Sequence, residues 1–154
     1  MDFRITGLDP ARFAPLFELS DEALARRRAV RRVCDSRPGF PCRITLRDAS
    51  PGDSVLLLNY EHLPVDSPYR SSHAIYVSES EERFDEVNEI PPAFRERLLA
   101  IRAFDANGLM VDADIVEGRE ARPLIEKLLA PDGVAYLHAH YAKRGCYAGR
   151  IERA

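Results

Sequence analysis

Asn107-Gly108 constrains the fold of this chain more than any other feature. It separates two strand-like runs, 101–104 and 110–116, and Asn-Gly is the strongest short hairpin signal available. A second hairpin is written into the C-terminus, where the strands 134–141 and 146–151 flank Lys143-Arg-Gly145. Residues 55–60 form a near-continuous apolar run, read as a central buried strand pairing as a hairpin with the period-two segment 42–47. Phe3 and Ile5 alternate with polar neighbours in a short first strand, and 74–77 adds another. Helical signals are fewer. Ser20 is an N-cap ahead of Asp21 and Glu22, opening a helix that runs through Arg28 toward Val33. Pro91-Pro92 begins a second, with Phe94, Leu98 and Leu99 on its buried face, and Leu124, Ile125, Leu128 and Leu129 mark a third. A short turn follows Asp9-Pro10. Hairpins outnumber βαβ units, so the expectation is one α+β domain, a mainly antiparallel sheet with three to four helices packed on it.

At 154 residues the chain can bury about two-thirds of its unfolded surface and build a core without staples. No apolar run approaches the ~20 residues that span a bilayer, and Met1–Gly7 lacks the basic and apolar regions of a signal peptide. The expectation is a cytoplasmic protein that does not engage membranes. Cys34, Cys42 and Cys146 are odd in number and too widely spaced for a zinc knuckle, which argues for free thiols. The net charge of −3 is uneven: residues 25–47 carry +7, with eight arginines against Asp35. Arg26-Arg-Arg-Ala-Val-Arg-Arg32 lacks aromatic residues to stack bases and belongs to an acidic domain, so it reads as a solvated helical face and not as a nucleic-acid site. Asp112 and Asp114 share a strand face and read as solvated or arginine-paired.

His138-Ala-His140 is the place to look for chemistry. Side chains alternate along a strand, so both imidazoles point the same way from Cα atoms roughly 7 Å apart. A three-residue loop with Gly145 in the left-handed region would set His138 opposite Arg150 and His140 opposite Ala148, with Cys146 on the same face; a two-residue turn would send Cys146 and Arg150 to the other face. Three readings follow. His138, His140 and Arg150 form a pocket for a small carboxylate or phosphate, with a histidine as general base if there is turnover. His138, His140 and Cys146 bind zinc in a hydrolase-type site, three ligands leaving a position for water. Or the histidines decorate a half-solvated strand face of a structural or interaction module, such as a homodimer.

A second constellation runs from Tyr60-Glu-His62 through Asp66-Ser-Pro-Tyr-Arg-Ser-Ser-His73. It gathers hydroxyls, two imidazoles, two carboxylates and an arginine into fourteen residues without a nucleophile elbow. Its functional reading is a binding loop in which Asp66, Tyr69 and Arg70 rim the pocket, with Arg43 joining them; its bland reading is a set of turn caps.

Pro38-Gly-Phe-Pro-Cys-Arg43, Asp48-Ala-Ser-Pro-Gly-Asp-Ser-Val-Leu-Leu-Leu58, Asp66-Ser-Pro-Tyr-Arg-Ser71 and Gly145-Cys-Tyr147 resemble a bacterial family, domain of unknown function 1203. The resemblance covers nearly the whole chain. It implies a bacterial, soluble, single-domain protein and brings no catalytic residue with it.

Overall fold

A computed structural model describes every residue from Met1 to Ala154. The strands are β1 (Phe3–Thr6), β2 (Ala29–Val33), β3 (Ser54–Leu63), β4 (Ser71–Ser78), β5 (Asp85–Val87), β6 (Leu98–Phe104), β7 (Met110–Glu117), β8 (Tyr136–Tyr141) and β9 (Tyr147–Arg153). The helices are α1 (Ala14–Phe17), α2 (Asp21–Arg26), α3 (Pro92–Arg95) and α4 (Ala121–Leu129). Six strands form one antiparallel sheet in the order β5-β1-β9-β8-β6-β7, and three form a second in the order β2-β3-β4. The α+β expectation holds, with three hairpins, β3–β4, β6–β7 and β8–β9, among the antiparallel pairs.

Period-two alternation divides the large sheet into two faces. Leu99, Ile101 and Ala103 of β6 join Leu137, Ala139 and Tyr141 of β8 and Ile125, Leu128 and Leu129 of α4 in the larger core. The opposite parity of the same strands carries Arg102 and Phe104 on β6 and Tyr136, His138 and His140 on β8, paired in register as Arg102–His138 and Phe104–Tyr136. The second core lies against the small sheet and contains Leu56, Leu58, Ile75 and Val77 together with Tyr147 of β9.

Three local expectations are corrected. The helix from Ser20 stops at Arg26, although Ser20 Oγ does cap it by accepting from the Ala23 amide. Arg28 adopts φ 57°, which ends the helix, and 29–33 leaves as β2 to pair with β3. The apolar parity of Ala29 is thus spent on the sheet. Nor does 42–47 form a strand hairpin with β3. It is a compact turn in which the Leu46 amide donates to the Cys42 carbonyl, and Leu46 itself sits at φ 50°. The turn drives Ile44 into the small-sheet core and Leu46 into the large one, a division that a strand with one apolar face cannot make. Third, α3 ends at Arg95, so Leu98 and Leu99 open β6 instead of continuing a helix.

Candidate functional site

The histidine side of β8 faces the small sheet. The last hairpin places Gly145 at φ 78° and sets His138 opposite Arg150, but a register shift follows, and Tyr147, not Ala148, lies opposite His140. The extra residue in β9 is a bulge, which re-aims the side chains around it. It brings the Tyr147 phenol onto the histidine face while Ala148 packs in the larger core.

From the small sheet come two more imidazoles. His62 continues the Leu56-Leu58-Tyr60 parity of β3, and His73 the Val77-Ile75 parity of β4, so both point the way the apolar residues point. All four histidines of the chain therefore meet. His62 stacks on Tyr147 at a centroid distance of 5.1 Å. His138 is walled by Phe104 at 5.4 Å, Tyr136 at 5.2 Å and Tyr147 at 5.0 Å.

His62, His138 and His140 each offer a ligand-capable ring nitrogen, and these three atoms lie within 4.8 Å of one another. His138 and His140 are 1% and 0% exposed. Three buried ring nitrogens have no hydrogen-bond partner: Nδ1 of His62, Nδ1 of His138 and Nε2 of His140. The far side of two of these rings is engaged. His140 Nδ1 lies 2.9 Å from the Gly145 carbonyl; a carbonyl only accepts, so Nδ1 carries the proton and Nε2 keeps a lone pair. His62 Nε2 lies 2.9 Å from His73 Nδ1 and 3.1 Å from Ser71 Oγ.

Burial removes the imidazoles from water, which disfavours their charged forms. It is the main cause that lowers His62 to about 4, His138 to about 2 and His140 to about 3, with neighbouring histidines and Arg102 adding to it. His73, half-exposed, is also lowered, again chiefly by burial. At neutral pH the cluster consists of uncharged imidazoles, the form that ligates metals.

The other residues singled out in the sequence take separate places. Cys146 packs against the larger core, and its Sγ accepts from Arg43 Nη2 at 3.1 Å; the third member of the ligand group is His62, not this thiol. Arg43 is a buried tie: Nε donates to the Tyr147 carbonyl at 2.8 Å, Nη1 to the Pro41 carbonyl at 2.6 Å, and the guanidinium lies 4.9 Å from the Tyr141 ring centre. Arg150 shares the histidine face, but its charge is paired to Glu152 at 2.6 Å and lies over the Tyr136 ring at 3.9 Å. Of the 66–70 loop, Tyr69 reaches the site's edge, 6.3 Å from Phe104 between ring centres. Arg70 pairs with Glu61, and Asp66 is exposed. Ser67 Oγ donates to the Gly108 carbonyl at 2.9 Å and holds the loop against the β6–β7 hairpin.

Sequence reasoning missed Arg102. Its signal is parity: it alternates with Ile101 and Ala103, which are fully buried, and so belongs to the face of Phe104, across from His138. The union of His62 with His138 and His140 was missed too, because it depends on how two sheets pack.

No curated protein and no solved structure matches the chain. The sequence model of the family described as Protein of unknown function (DUF1203) matches residues 39–153, a segment that contains His62, His73, Arg102, His138 and His140. Covering well over half of the chain, that match shows that this protein belongs to the DUF1203 family.

Proposed function

We propose that the protein is a metal-dependent enzyme of hydrolase type, in which His62, His138 and His140 hold a divalent transition metal. The observation that carries this reading is the set of three buried, partnerless ring nitrogens, one on each residue of the converging trio. A buried polar atom without a partner is costly and calls for an explanation. A shared cation answers all three. Imidazole is a preferred ligand of zinc and its neighbours in the transition series. The Gly145 carbonyl on His140 Nδ1 is the outer-shell contact that such ligands usually make, because it fixes the tautomer and the ring orientation.

The count of ligands favours catalysis over a purely structural role. Structural zinc is closed by four protein ligands, whereas a catalytic site uses three and leaves a position for water or substrate. Here the group has three members. A metal in this place would act as a Lewis acid and lower the pKa of bound water. We also infer a bacterial, cytoplasmic setting; the three free thiols support it. No helix is long and apolar enough to cross a membrane.

The test is metal analysis of the purified protein incubated with zinc and dialysed. One zinc per chain is expected, with a raised melting temperature and zinc-dependent cleavage of p-nitrophenyl acetate or p-nitrophenyl phosphate. His62→Ala, His138→Ala and His140→Ala should each lose the bound zinc. No stoichiometric zinc and no thermal shift in the wild type would remove the reading.

A further inference from the structure

Five arginines are buried or half-buried: Arg31, Arg43, Arg97, Arg102 and Arg150. Four have partners. Arg31 donates to the Leu19 carbonyl, Arg43 to two carbonyls and a thiol, Arg97 to both oxygens of Asp48, and Arg150 to Glu152. Arg102 alone donates no side-chain hydrogen bond and forms no ion pair. A guanidinium has five N–H donors, and leaving all of them free on a half-buried side chain is unusual.

Its position gives that freedom a meaning. Arg102 lies directly across from His138 on the histidine face of β6. No carboxylate is paired with any of the four histidines or with Arg102. Adding a divalent cation to neutral imidazoles beside an unpaired guanidinium makes the site strongly positive. Resting on that metal reading, we infer that the ligand is a small oxyanion, a carboxylate or a phosphate, with one oxygen directed to the metal's open position and others held in the Arg102 fork. The guanidinium matches the geometry of such anions in two parallel hydrogen bonds. Phe104, the next residue of β6 on this face, and Tyr69 beside it give the body of the ligand an aromatic wall.

The test uses the cobalt(II)-loaded protein, whose visible spectrum reports the ligands around the metal. The wild type is titrated with inorganic phosphate in one arm and acetate in the other. At least one anion should perturb the spectrum saturably, and the responding arm distinguishes phosphate from carboxylate. Arg102→Gln should keep one cobalt per chain and bind that anion about tenfold or more weakly. Arg102→Lys, which keeps the charge and loses the fork, should fall between them and serves as a second variant. Arg144→Gln, at an exposed arginine on the hairpin tip, should retain wild-type affinity. Cobalt uptake with no response to either anion overturns the inference and leaves the metal centre standing. So does an Arg102→Gln protein that binds as tightly as the wild type, or an equal loss in Arg144→Gln. Failure of the wild type to take up cobalt removes the metal centre, and the inference with it.

Discussion

His140 Nδ1 and the Gly145 carbonyl oxygen lie 2.9 Å apart across the tip of the last hairpin. The contact fixes which nitrogen of His140 carries the proton, and it exists because Gly145 bends the chain back at φ 78°. Nothing lies within 4 Å of the Cβ that another residue would add there, so a substitution meets only backbone strain. Gly145→Ala should lower stability by about 1 kcal/mol, and Gly145→Asn by less, because asparagine tolerates the left-handed region. Denaturant unfolding checks the pair; equal effects would show that backbone conformation is not what sets the cost.

Acid should unfold the metal-free protein earlier than its carboxylates alone require. In the folded state His62, His138 and His140 stay neutral down to about 4, about 2 and about 3, against an ordinary value of 6.5. Between those limits the unfolded chain binds more protons, so stability is full above pH 6.5 and falls as the pH falls. Each ring contributes up to about 1.4 kcal/mol per pH unit in that window. The urea midpoint should therefore drop between pH 7 and pH 5, and the drop should be shallower in His138→Leu. A midpoint that is flat over this range would contradict the burial of uncharged rings.

Cys146→Ala should leave metal binding intact, since the thiol touches Arg43 and the larger core. His62→Ala should abolish it. Metal analysis of the two variants side by side decides between a thiolate and a third imidazole as the ligand. For the wild type, zinc at a hundredfold excess over its dissociation constant should add about 2.7 kcal/mol to stability.

Arg43 should prove a structural residue. Its buried guanidinium satisfies two carbonyls from distant parts of the chain, and truncation would orphan them. Arg43→Ala should cost about 3 kcal/mol, through lost hydrogen bonds and a cavity. Zinc stoichiometry in the folded fraction should not change. A loss of zinc from folded protein would instead bring Arg43 into the site.

What was legible in the sequence followed from local rules. Period two put His138 and His140 on one face, and positive φ at Gly145 paired His138 with Arg150. Asn107-Gly108 located the β6–β7 hairpin, although only Gly108 takes a positive φ there, 76°, and the turn is not type I′; Ser20 located the start of α2. The errors came where local preference yields to packing. The bulge in β9 replaced Ala148 with Tyr147 opposite His140. Residues 29–33 left the helix at Arg28 and became β2, paired antiparallel with β3, a long-range contact that local spacing does not encode. His62 and His73 sat at apolar parities beside Tyr60 and Ile75, a pattern that marks both as inward-facing without saying what they face. Arg102 is distinguished only in the folded chain, where every other buried or half-buried arginine has a partner.

His62 and His73 are carried by the three-stranded sheet, His138 and His140 by the six-stranded one. A cation shared by His62, His138 and His140 would be a clasp between two layers that otherwise meet through Tyr147 and its apolar surroundings. Loading would then register far from the imidazoles: the amides of β3 and β8 would breathe in step when the clasp is shut and independently when it is open. Hydrogen exchange along those two strands would record the clasp as a change in cooperativity, even under conditions where no substrate is turned over.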